Sequence, residues 1–159
     1  MAEECDLEAL LNIYNYEALN STATFAVNTK TLRERKMWFE EHNRDNHPLL
    51  VAVKEGTAVG YASLSAFRSN EAYAKTVELS VYVDHRHRCE GIGEALMIEI
   101  LNMARRDEGV HTVISVITAG NEASVKLHEK LGFMYSGSLK EVGEKYGRWL
   151  DIVFYQLLV

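Results

Sequence analysis

At 159 residues the chain suffices for one domain, residues 1–159, with a single core, and is too short for two ordinary ones. Apolar residues make up 47% and charged residues 25%, a globular balance that excludes a disordered or fibrous chain, and the formal net charge of -6 argues against a nucleic-acid partner. Cys5 and Cys89 are too few for a disulfide framework and lack metal-ligand spacing, no apolar run reaches membrane-spanning length, and the acidic start lacks a secretory pattern. These features lead us to expect a reduced, cytoplasmic protein with no membrane partner and no metal.

Leu7, Leu10, Leu11 and Tyr14 have helical spacing, with Asp6 placed to cap them. Asn20 to Thr24 reads as a loop. Thr31 and Glu34 fit a capping box for a second helix reaching His42, with Trp38 and Phe39 on its apolar face. Leu49–Val53 and Val59–Leu64 are strands joined by a hairpin-like turn, Lys54-Glu55-Gly56-Thr57. After a polar loop from Arg68 to Glu71, Val77–Val83 alternates apolar and polar, the period of a pleated strand. Gly91–Arg106 is an amphipathic helix, Val113–Ile117 a β-branched strand, and Asn121–Leu131 a helix stopped by Gly132. Strands Phe133–Leu139 and Leu150–Leu157 complete the chain. The order implies an α/β or α+β domain, a mixed sheet covered by helices.

The segment from Val81 through Arg88 to Gly93 runs from a strand through a charged loop into a helix with glycines in its first turn. Unpaired N–H groups and the dipole at a helix start suit a phosphate or pyrophosphate, and Arg88 adds positive charge. The pattern is neither a Walker loop nor a complete dinucleotide fingerprint. A second segment, Asn121 to Phe133, is a capped amphipathic helix in which Asn121, Ser124 and His128 are not explained by packing.

Arg88-x-x-Gly91-x-Gly93 resembles the coenzyme A pyrophosphate loop of the GNAT superfamily of N-acetyltransferases. Asn121-x-x-Ser124-x-x-Leu127-His128-x-x-x-Gly132-Phe133 resembles that family's following helix, with His128 where a tyrosine is usual. That exchange resembles the phosphinothricin and methionine sulfoximine acetyltransferase branch. Ile13-Tyr14-Asn15 with Asn20 to Phe25, Ala72-Tyr73 with Thr76 to Val83, and Gly143-x-Lys145-x-Gly147-Arg148-Trp149-x-Asp151 resemble the same branch.

The resemblance implies a mixed, mostly antiparallel sheet with about four helices. Met1 to Cys5 leaves the family's first strand stunted or missing. It implies acetyl-CoA as cosubstrate, held by Val81, Tyr82, Val83, by Arg88, Cys89, Glu90, Gly91, Ile92 and Gly93, and by Asn121 and Ser124. It implies a small amino-acid-like amine as acceptor, with another amine (polyamine, aminoglycoside or protein N-terminus) or a non-catalytic coenzyme A-binding module as alternatives.

Glu78 is the candidate base. Read from the residues alone it is equally a carboxylate on a solvated strand face, and the resemblance favours the base. His128 is the candidate that returns a proton to the thiolate or relays one from the amine. Arg68, Tyr73, Thr76 and Phe25 are acceptor-side candidates, with Trp38 and Trp149 as possible walls. The resembling family is commonly dimeric, and the apolar end Val153–Val159 offers a strand to a second subunit.

Overall fold

In the computed structural model, which describes residues 1–159, helix α1 spans Leu7–Asn20. No strand precedes it. Ala2 instead makes a single rung, its N–H donating to the Leu49 carbonyl at 2.8 Å. Asp6 does not cap α1 as its position suggested. It already has helical backbone angles, so its carboxylate reaches back to accept the Glu3 N–H at 2.8 Å on the preceding 3-10 turn.

Helix α2, Leu32–Glu40, starts at the expected capping box: Thr31 Oγ1 accepts the Glu34 N–H at 3.2 Å and Glu34 accepts the Thr31 N–H at 2.8 Å. It stops short of His42 because Asn43 and Asp45 take left-handed conformations that reverse the chain. Arg35 is buried beneath it, its guanidinium 3.5 Å from the Trp38 ring centroid.

Strands β1 (Leu49–Lys54) and β2 (Thr57–Ala66) form a hairpin whose two turn residues, Glu55 and Gly56, both have positive φ. Strand β3 is Thr76–Val83, helix α3 Ile92–Arg106, strand β4 Thr112–Thr118 and helix α4 Glu122–Lys130. The last hairpin joins β5 (Met134–Lys145) to β6 (Arg148–Leu158). The six strands lie in the order β1-β2-β3-β4-β6-β5, antiparallel throughout except for the β3–β4 pair. Because β6 has β4 on one edge and β5 on the other, Val153–Gln156 has no free edge to offer a second subunit, contrary to the sequence expectation.

The sheet is buried on two faces. On one, Leu64, Val77, Leu79, Val113 and Ile117 pack against Leu96, Met97, Ile100 and Leu101 of α3, whose burial contributes about 1.5–3 kcal/mol per side chain. On the other, Leu10 and Ile13 of α1 meet Leu49 and Tyr61, with Trp38, Phe39 and Tyr82 against them. Alternation along β3 therefore sends Val77 and Leu79 towards α3 and leaves Glu78, Ser80 and Tyr82 on the α1 side.

The β3–β4 ladder is short. It comprises Thr76–Thr112, Val77–Val113 and Glu78–Ile114, after which the strands part. That separation positions everything that follows.

Candidate active site

Beyond Glu78, residues Leu79–Val83 keep their partners on β2 but have none on the β4 side, so backbone polar groups face the gap. The gap opens on a groove of about 500 Å³ lined by Val81, Tyr82, Val83, Arg88, Asn121 and the loop after α1. The groove leads to the start of α3. Gly91 caps this helix in a left-handed conformation, φ +78°, that L side chains rarely adopt. The first intrahelical N–H is that of Ala95, bonded to the Gly91 carbonyl at 3.0 Å, so the preceding N–H groups are free to meet an anion.

Arg88 stands at the groove, half exposed, and its guanidinium pairs with Glu17, which is buried on α1. Glu17 also accepts from Ser21 Oγ at 2.5 Å. Of the six loop residues expected here, Arg88 to Gly93, only Arg88 lines the groove. Cys89 is exposed with a left-handed backbone, and Glu90 is drawn to the Lys54 ammonium at 2.8 Å and the His87 ring at 3.2 Å. The Ile92 side chain turns into the α3 core, and Gly93 backs onto Val83 and Leu127. Asn121 caps α4, its Oδ1 accepting the Ser124 N–H at 3.2 Å.

A second cavity of about 390 Å³ adjoins the groove through Ala23 and Tyr82. Phe25, Glu78, Ser80, Val142 and Ile152 line it. Burial, with no partner to offset it, pushes the Glu78 carboxyl above the ordinary carboxylate range. The Phe25 ring packs against Gly143, where a Cβ would collide with it. The loop carrying Phe25 is held from the last hairpin: Lys145 Nζ donates to the Thr24 carbonyl at 2.8 Å, and Tyr146 OH donates to the Leu19 carbonyl at 2.8 Å.

Of the four acceptor-side candidates, only Phe25 lines this cavity. Arg68 stacks over Phe67 and Tyr73, with ring centroids at 5.1 and 5.9 Å. That loop folds back onto the start of β4, where the Lys75 carbonyl accepts the N–H groups of His111 and Thr112 at 2.8 and 3.1 Å. Thr76 pairs with Thr112 at the closed end of the β3–β4 ladder. Trp38 is committed to Arg35 and His42, and Trp149 is exposed, so neither forms a wall.

His128 lies on the opposite face of the sheet, buried edge-on to Phe133 with ring centroids 5.0 Å apart. Its Nδ1 is 2.7 Å from the Ser124 carbonyl. A carbonyl only accepts, so Nδ1 carries the hydrogen and Nε2 a lone pair. Burial holds the imidazole below its ordinary range, which keeps it neutral at pH 7.

A groove between splayed strands, leading towards a glycine-capped helix start and an arginine, suits a long ligand that carries an anionic group. Residues 1–154 match the acetyltransferase (GNAT) domain family. The chain belongs to the GNAT acetyltransferases. It is 41% identical over 153 residues to the L-methionine sulfoximine/L-methionine sulfone acetyltransferase of Pseudomonas aeruginosa, covering 96% of this chain and 88% of that one. Among solved structures, the phosphinothricin acetyltransferase of Sinorhizobium meliloti in complex with acetyl-CoA superposes with a TM-score of 0.94 at 36% identity, covering 99% of this chain and 85% of the other. A ribosomal-protein-alanine N-acetyltransferase from Brucella melitensis gives 0.95 at 46%, covering 99% and 97%.

For a GNAT enzyme the cosubstrate is acetyl-CoA, and the residues present fit it. The unpaired β3 edge can take up an amide-bearing arm, while the free N–H groups of α3 and Arg88 suit a pyrophosphate. No group of three or more His, Cys, Asp or Glu side chains is placed to hold a metal ion.

Lys145 stands in the C-terminal motif without a site role assigned to it, and no motif included Glu17. Glu17 did leave a trace: it falls four residues after Ile13, in the stripe that Leu10 and Ile13 bury.

Proposed function

We propose that this enzyme acetylates the amine of a small amino-acid-like substrate, of the methionine sulfoximine, methionine sulfone or phosphinothricin type, by direct transfer from acetyl-CoA. Residues 1–159 act as one catalytic domain. The observation that carries this reading is Glu78, a half-buried carboxylate without a partner, facing a small cavity that adjoins the groove. It is the only carboxylate lining that cavity, and a polyamine or aminoglycoside would call for several. The named activities of the Pseudomonas and Sinorhizobium relatives agree with a small acceptor.

Acetyl-CoA supplies the acetyl group as an activated thioester. Glu78 takes the proton that the acceptor ammonium must lose before its nitrogen can attack, and its raised pKa makes it a stronger base. Backbone N–H groups on the free edge of β3 near Val81 polarise the carbonyl. His128, neutral with an open Nε2, serves the second proton. Exposed Cys89 lies off the groove and forms no acyl-enzyme.

A protein N-terminal amine is the second reading, favoured by the 46% identity to the Brucella enzyme. Both readings place the enzyme in the cytoplasm, in keeping with its two free thiols. We also infer a homodimer, supported by the apolar side chains that β5 exposes at its edge position in the sheet, Met134, Tyr135, Leu139 and Val142.

Coenzyme A release measured with phosphinothricin, methionine sulfoximine, methionine sulfone, spermidine and an alanine-initiated peptide tests the reading. Turnover confined to the amino acids and lost in Glu78→Gln supports it. Turnover confined to the peptide selects the second reading, and acetyl-CoA binding with no turnover selects a binding module.

A further inference from the structure

Two buried side chains on the α3–α4 face carry polar atoms that the protein leaves without a partner: Ser115 Oγ and His128 Nε2. Ser115 is 1% exposed and His128 2%. Both line a single crevice of about 70 Å³, where β3 and β4 part. Ser115 occupies a core position on β4, since Val113 and Ile117, two residues to either side, pack into the main core. A hydroxyl there without a partner bears the whole cost of its desolvation, which alanine or valine would avoid.

Two orphaned polar atoms on one small polar crevice are the setting in which proteins retain an internal water, for which roughly 10–15 Å³ suffices. The crevice is also a passage between faces. Glu78 is on the α1 side and His128 on the α4 side, while Ser80, Tyr82, Val116 and Thr118 line both the crevice and the acceptor cavity.

We propose that Ser115 and His128 hold a water molecule in this crevice, and that it completes the path by which a proton reaches the departing coenzyme A sulfur. This rests on the acetyl-transfer reading. An acceptor ammonium loses two protons on becoming an amide. The first goes to Glu78 before attack. The nitrogen then bonds to the thioester carbonyl carbon, the carbon–sulfur bond breaks with its electron pair on sulfur, and the nitrogen sheds its second proton. That proton passes through the water to Nε2 and returns from the imidazolium to the sulfur, leaving free thiol, amide and neutral His128. Ser115 donates its hydroxyl hydrogen to the water oxygen and so turns a water hydrogen towards Nε2. It is a positioning residue.

A high-resolution crystal structure of the wild-type enzyme, Ser115→Ala and Ser115→Thr, with steady-state kinetics in H2O and D2O, tests this. The expected result is one ordered water within hydrogen-bond distance of Ser115 Oγ and His128 Nε2, absent in Ser115→Ala. In that variant kcat falls ten- to a hundredfold, both KM values stay within about twofold, and the solvent isotope effect on kcat changes. Ser115→Thr, which keeps the hydroxyl, restores most of the rate. A dry crevice, or wild-type kcat and isotope effect in Ser115→Ala, overturns the relay. So does a loss confined to stability and KM. The two failures separate: turnover without the crevice water overturns the relay alone, whereas the water without turnover on any amine overturns the acetyl-transfer reading.

Discussion

The buried carboxylate of Glu17 on α1 accepts a hydrogen bond from the Arg88 guanidinium at the side of the groove that leads to α3. Helix α1 thereby fixes a cation that would otherwise wander on a loop.

Removing Arg88 has two expected effects. Arg88→Ala strands the Glu17 charge in the protein and lowers stability by about 2–3 kcal/mol, less than for a fully buried pair because the arginine is half exposed. Coenzyme A affinity falls about tenfold through loss of a charge-assisted contact. Urea denaturation and calorimetric titration read the two effects separately. Adding Glu17→Ala recovers the stability and not the affinity.

Glu78→Gln is expected to lower kcat by roughly 10²–10⁴-fold while stabilising the protein at pH 7. In the folded chain burial raises the Glu78 pKa above its ordinary value near 4.5. Between those two values the folded state binds more protons than the unfolded, so stability falls as pH rises through that window. The variant escapes this loss. Thermal melts from pH 4 to 8 should show its advantage appearing above about 4.5 and staying constant at higher pH.

The two buried histidines have the opposite sign. Burial lowers the pKa of both His42 and His128 from the ordinary 6.5. The unfolded chain then takes up protons that the folded chain refuses, so their contribution is intact above 6.5 and is lost as pH falls below it. The melting temperature should therefore decline from pH 7 to 5. His128→Gln removes part of that slope, and melts at matched ionic strength measure how much.

Gly143→Ala forces the Phe25 ring off its seat and into the acceptor cavity. Overpacking of this kind costs about 1–3 kcal/mol of stability, read by thermal denaturation, and the displaced ring lowers kcat/KM for the amine. The affinity for acetyl-CoA should not move, because Phe25 does not line the cofactor groove.

Most elements were legible because their patterns are local. The fourfold spacing of Ile92, Leu96 and Ile100 gave α3, and the alternation from Val77 to Val83 gave β3. The last hairpin is longer than its sequence pattern suggests. Strand β5 continues to Lys145 past bulges near Gly137 and Gly143, and most of its residues are exposed, so it shows no alternation to recognise. At the site, Glu78 stood out as a charge in an apolar strand. Arg68 and Tyr73 looked equally eligible, yet the fold of their loop onto Lys75 keeps them off the cavity. Ser115 was invisible, since one serine in Thr112–Thr118 carries no mark of the crevice it faces until β3 and β4 are seen to part.

The Phe25 seat on Gly143, with Lys145 and Tyr146 fastened to Thr24 and Leu19, joins the two ends of the sequence. The residues that line the groove all precede β5, whereas the acceptor cavity takes Val142 and Ile152 from the final hairpin. Loosening the last hairpin would open the acceptor cavity and release the loop after α1, which lines both spaces, so donor and acceptor sites are tensioned from one end of the sequence.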